Sequence, residues 1–81
     1  MAAGEETAVE AHFSPTGAIS PRRFTWRGST VAVEGIGRCW KEVGKRCFGV
    51  LAAGGRHFEL RLDEKTLRWQ VSSVLASRIV A

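Results

Sequence analysis

From Pro21 to Val33 the chain reads Pro-Arg-Arg-Phe-Thr-Trp-Arg-Gly-Ser-Thr-Val-Ala-Val, an alternation of apolar and polar residues broken once, at Gly28-Ser29. Side chains of an extended strand point to opposite faces in turn, so Phe24 and Trp26 share one face while Arg23, Thr25 and Arg27 share the other. A glycine leading a two-residue break has the pattern of a type II′ hairpin turn. The chain is therefore constrained to a strand hairpin with an apolar face turned to a core and a basic strip turned outward.

The same period recurs along the chain. Val9, Ala11 and Phe13 alternate with Ala8, Glu10 and His12, and Ser14-Pro15-Thr16-Gly17 follows as a turn. Val31 and Val33 share a parity that Ile36 does not, and a bulge near Glu34-Gly35 would return Ile36 to the core. Arg38 to Gly44 reads as a polar connection, and Lys45 to Ala52 as a strand facing inward at Phe48 and Val50. After Gly54-Gly55, Phe58, Leu60 and Leu62 alternate with His57, Glu59 and Arg61; after Asp63-Glu64-Lys65-Thr66, Leu67, Trp69 and Val71 alternate with Arg68 and Gln70. No segment repeats at helical spacing. The expected fold is all-β, a five- or six-stranded antiparallel meander closing as an SH3-like, partly open barrel, because so few strands bury enough surface only by bending. Residues 1–5 are expected to be disordered, 6–75 to form the barrel, and 76–81 to form a tail.

At 81 residues the chain holds one small domain, and 44% hydrophobic with 25% charged residues is a globular balance. The acidic start, Met1-Ala2-Ala3-Gly4-Glu5-Glu6, lacks the basic and apolar regions of a secretory signal. No run approaches the roughly 20 apolar residues of a membrane span. A cytoplasmic location with no membrane partner is expected. Glu5, Glu6 and Glu10 precede every basic residue, so from residue 11 onward twelve basic residues face five acids. Such a bias serves a polyanionic partner, and equally serves solubility.

The segments Pro21–Gly28, Val31–Val33, Trp40, Arg56–Leu60 and Arg68–Val71 together resemble an uncharacterised bacterial family of small β domains. A similar domain is appended to the C-terminus of some bacterial Y-family DNA-polymerase-like proteins of mutagenic lesion bypass. The resemblance implies a small β fold and, by analogy, a place beside a DNA-repair polymerase complex. The chain departs from the family's aromatic pattern in having no Tyr and in setting Gln70 beside its last Trp.

Basic residues cluster around the first hairpin and the connection after it. Arg23, Arg27, Lys41, Lys45 and Arg46 are the expected phosphate contacts, and Trp40 either stacks on an unpaired base, seats in a partner's pocket or plugs the barrel end. The leading expectation is accessory binding of single-stranded or duplex nucleic acid. The alternative is a protein-interaction adaptor using a sheet edge or an aromatic groove. No catalytic role is expected, since the chain has no GxSxG, P-loop or HExxH motif, and an acid and a histidine two apart on a strand face, as at His57 and Glu59, need not meet. His12, Cys39, Cys47 and His57 lack the close pairing of ligands that structural zinc sites use, so neither metal nor cofactor is expected. Cys39 and Cys47 are read as free thiols.

Overall fold

The computed structural model describes residues 4–74. Within them lie seven strands: β1 (Glu5–Thr7), β2 (Val9–Phe13), β3 (Ile19–Trp26), β4 (Ser29–Glu42), β5 (Lys45–Ala52), β6 (Arg56–Asp63) and β7 (Trp69–Val74). They form one antiparallel sheet in the order β1-β7-β6-β5-β4-β3-β2, curled into a half-barrel. From β2 to β7 every strand pairs with its neighbour in sequence, the expected meander. The count is seven rather than five or six because the N-terminal run changes partner at Ala8: β1 pairs with β7, whereas β2 pairs with β3. One run of chain thus reaches both ends of the sheet and draws them together, and Glu5, in the stretch expected to be disordered, is part of β1.

The inner face follows the period-two pattern. Phe24, Val50, Phe58, Leu60 and Val71 are all buried and form the core with Phe48, Val31 and Ala52. Each large apolar side chain among them contributes about 1.5–3 kcal/mol on full burial. Phe24 and Trp26 both meet Phe58 edge-on, at 5.0 and 5.2 Å between ring centroids. Trp26 and Trp69 are only half-buried and pack against the margins of the core, Trp69 tilting over Phe48.

Four local expectations are corrected. The β3–β4 turn is Arg27-Gly28, not Gly28-Ser29, because Trp26 pairs with Ser29. Both turn residues have positive φ, 50° and 85°, the signature of a type I′ hairpin, whose twist suits paired strands. Arg27 therefore belongs to the turn and not to the strand face of Arg23. Second, Arg38 to Glu42 is strand rather than connection. Besides the expected irregularity between Val33 and Gly35, β4 carries another between Ile36 and Cys39 that breaks the alternation. Third, the first irregularity sets Ile36 opposite Val50, yet Ile36 stays exposed at the margin instead of joining the core. Fourth, Leu67, expected on the core face, is exposed at φ 59° in the turn before β7. The Asp63 carboxylate accepts the Lys65 and Thr66 N–H groups, and the Leu67 N–H bonds to the Asp63 carbonyl, which closes that turn ahead of Trp69.

The strand continues through Ser72 to Val74, while the expected tail at 76–81 lies outside the described residues. Among the described residues, no helix is long and apolar enough to cross a membrane.

Candidate functional site

The expected basic strip is broken up by the fold. Arg23 is ion-paired with Glu10 at 2.9 Å, across the β2–β3 register that sets the two opposite each other. Arg27, carried by the turn, reaches Glu5 at 3.3 Å and lies over the Trp26 ring at 4.5 Å. Lys41 faces Glu64 at 3.8 Å. Lys45 and Arg46 are successive strand residues and so project to opposite faces of β5. Arg23 pairs with Ala32, and Trp40 lies eight residues further along β4, about 25 Å of extended chain away. The six expected contacts do not form one surface.

Trp40 stands on the outer face, opposite Cys47 and away from the core, so it does not plug the barrel. Its indole N–H donates to Glu42 Oε2 at 3.1 Å, and the Arg38 guanidinium lies over its ring at 4.4 Å. Glu42 in turn meets Arg61, which also holds Glu59 at 2.9 Å. The Trp40 N–H, followed by Arg61, holds the Glu42 carboxyl below its ordinary range. Burial works against the charge on Arg61, but Glu59 and Glu42 more than offset it and its pKa is raised. Cys47 is buried beneath this network, and burial pushes its thiol up, with Glu42 adding to the effect. The network ties Arg61 to two carboxylates and locks Trp40 in place.

Beside it on the same outer face lies a trough of about 420 Å³ crossing β4 to β7. Gly35, Leu51, His57 and Val74 form one register row across the four strands, and Gly49 and Glu59 lie in the next row. The floor at the β4 end is Gly35, Gly37 and Gly49; Leu51 and Val74 supply apolar walls, Ile36 the rim at the β4 margin, and Arg38 closes the end toward Trp40. Ile36 and Leu51 remain 39% and 37% exposed, high for large aliphatic side chains in a sheet. None of the three glycines adopts positive φ. A Cβ at Gly35 would meet nothing within 4 Å, and at Gly37 and Gly49 its nearest neighbour would be 3.8 and 3.7 Å away, ordinary van der Waals distances. Gly35 and Gly37 fall at the two irregularities of β4, where glycine is common, whereas Gly49 pairs regularly with Glu59 and neither its φ nor its packing calls for glycine, which costs about 0.5–1 kcal/mol relative to alanine within a strand.

The trough adjoins an open sheet edge. Beyond Ala32, β4 pairs only with β5 among the described residues, since its pairing with β3 ends there. Sequence reasoning placed a bulge at Glu34-Gly35 but did not single out Gly37 or Gly49. The signal was present in three glycines spaced through two strands without turn residues beside them. Arg38, Glu42 and Arg61 were not singled out as a unit because only the β4–β5–β6 register brings them together.

No group of three or more His, Cys, Asp or Glu residues able to hold a metal ion occurs among the described residues. Cys39 pairs with Phe48 and Cys47 precedes Phe48 by one position on β5, so the two thiols lie on opposite faces and are unpaired.

Residues 3–78 match the model of a family described as Domain of unknown function (DUF6504), and the chain belongs to that family. No curated protein and no solved structure matches it.

Proposed function

We propose that this chain is a non-enzymatic, SH3-like interaction module of the cytoplasm that takes an extended polypeptide segment in the glycine-floored trough beside the open edge of β4. The observation that carries this reading is that Gly49, regularly paired with Glu59 and with room for a Cβ, forgoes strand stability and together with Gly35 and Gly37 leaves a groove bordered by exposed Ile36 and Leu51. Addition of a strand to an open edge supplies main-chain hydrogen bonds, and alternate side chains then find pockets on the sheet. The resemblance to a domain appended to lesion-bypass polymerase-like proteins makes a DNA-repair polymerase complex the setting we propose for the partner.

Gly49→Val tests the reading. Its Cβ has room, so the fold should keep its melting temperature or gain slightly, while the floor is filled and partner binding is abolished. Retained binding by this variant, measured with a partner-derived peptide, rules the trough out.

A second reading, accessory nucleic-acid binding, is favoured by one observation: Arg22, Arg38 and Arg46 have no carboxylate within ion-pair distance among the described residues. Of these, Arg38 stands beside the Trp40 ring, and single-strand binders combine basic with aromatic side chains. Titration with single-stranded and duplex oligonucleotides at two salt concentrations separates the readings, because phosphate binding weakens steeply with salt and an apolar groove does not.

A further inference from the structure

We infer that the trough selects an extended segment that carries an acidic residue next to its apolar ones, a specificity that rests on the trough being the binding site. The charges around the groove are unequal in their commitments. Glu59, the carboxylate in its lining, is already held by Arg61 at 2.9 Å. Arg38, at the β4 end, has no carboxylate partner among the described residues. Arg38 is therefore the charge of the lining left without an ion pair among the described residues.

Arg38 is also prepared to use it. The guanidinium lies over the Trp40 indole at 4.4 Å, and that indole is itself tied by its N–H to Glu42. Stacking holds the plane of the guanidinium while leaving its N–H fork open, the geometry that a carboxylate meets with two parallel hydrogen bonds. A segment laid over Gly35, Gly37 and Gly49 with an apolar side chain against Leu51 would bring an adjacent acidic side chain to Arg38. A basic residue at that position would face like charge, so the site also rejects. The Glu42 carboxylate is occupied by Trp40 and Arg61.

The test uses the full chain, ¹⁵N-labelled, and synthetic extended peptides of identical apolar residues flanked by Glu, Gln or Lys. The Glu peptide should shift the Gly35, Gly37 and Gly49 amides and bind about ten-fold more tightly than the Lys peptide, the scale of one charge-assisted hydrogen bond. Arg38→Glu should invert that order with at most a small fall in melting temperature, since the exposed side chain gives up only its contact with the Trp40 ring. Equal binding of the Glu and Gln peptides overturns the acidic preference while leaving the trough as the site. If no peptide shifts the three glycine amides, the trough itself is refuted. An oligonucleotide that displaces the Glu peptide from those amides overturns the polypeptide ligand in favour of a polyanion.

Discussion

Thr7 and Thr25 are joined through one hydroxyl: Thr7 Oγ1 donates to the Thr25 carbonyl oxygen and accepts from the Thr25 N–H, which also bonds to the Ala8 carbonyl. Thr7 is the last residue of β1, held to Trp69 of β7, whereas Thr25 lies in β3. The hydroxyl therefore ties the two ends of the sheet at the point where the N-terminal run changes partner. Thr7→Val keeps the shape and removes the hydroxyl. It should cost about 1 kcal/mol, a fall in melting temperature of roughly 4–8 °C for a domain this size. Thr7→Ser should restore most of that stability, and equal melting of the Val and Ser variants would show that the hydroxyl plays no part in closure.

Phe58 is the ring on which both Phe24 and Trp26 rest. Phe58→Ala should cost roughly 3–5 kcal/mol, comparable with the whole stability of about 4–12 kcal/mol expected for 81 residues. Trp26→Ala and Trp69→Ala should fall below that range, because both rings are half-buried. Urea denaturation orders the three, and a Trp26→Ala cost equal to that of Phe58→Ala would place Trp26 in the core proper.

The inner face was legible because β6 and the second half of β3 obey strict alternation, and Phe24, Phe58, Leu60 and Leu62 are buried as their parity requires. What escaped was wherever one residue resets that parity. Arg27 at positive φ moves the turn back by one position, and the irregularity between Ile36 and Cys39 disguises the far half of β4 as a loop. The partners of the basic strip were hidden for a different reason. Sequence proximity of Arg23 and Arg27 says nothing of the acids that register and closure bring to them, Glu10 by pairing and Glu5 across the sheet ends.

Glu42 and Asp63 make stability fall in acid. The Trp40 N–H and then Arg61 hold Glu42 below its ordinary value of 4.5, and the Thr66 and Lys65 N–H groups hold Asp63 below 3.8. A carboxyl depressed in the folded state contributes stability above its unfolded pKa and loses it as pH falls through the folded one. The melting temperature should therefore decline as pH drops below about 4.5. Glu42→Gln, which still accepts the indole N–H but does not titrate, should show a shallower decline. An identical acid profile would show that Glu42 has no share in the acid sensitivity.

Cys39 is exposed and Cys47 buried, on opposite faces of the sheet. A thiol reagent should label Cys39 in the native protein and reach Cys47 only on unfolding. Mild oxidation should yield no intramolecular disulfide, because bridging needs Cβ atoms that approach within a few ångströms, about 3.5–4.5 Å. Rapid labelling of both thiols in the native state would contradict the burial of Cys47.

The ion pairs also decide which arginines could serve a polyanion. Removing one side chain that neutralises a phosphate should flatten the dependence of log affinity on log salt by roughly 0.7–0.9. Arg23 and Arg27 already direct their charge to Glu10 and Glu5, in exposed pairs worth about 0–1 kcal/mol each. If the protein binds oligonucleotides, Arg38→Ala and Arg46→Ala should each flatten the salt dependence, whereas Arg23→Ala and Arg27→Ala should leave the slope unchanged. The melting temperature should move little in all four, since none of these side chains lies in the core. The reverse outcome, with the slope responding to Arg23 and Arg27 alone, would mean that binding opens their ion pairs and restores the strand-face strip as the binding surface. Absence of oligonucleotide binding at low salt, where phosphate interactions are strongest, eliminates the nucleic-acid reading and leaves the trough to carry the function.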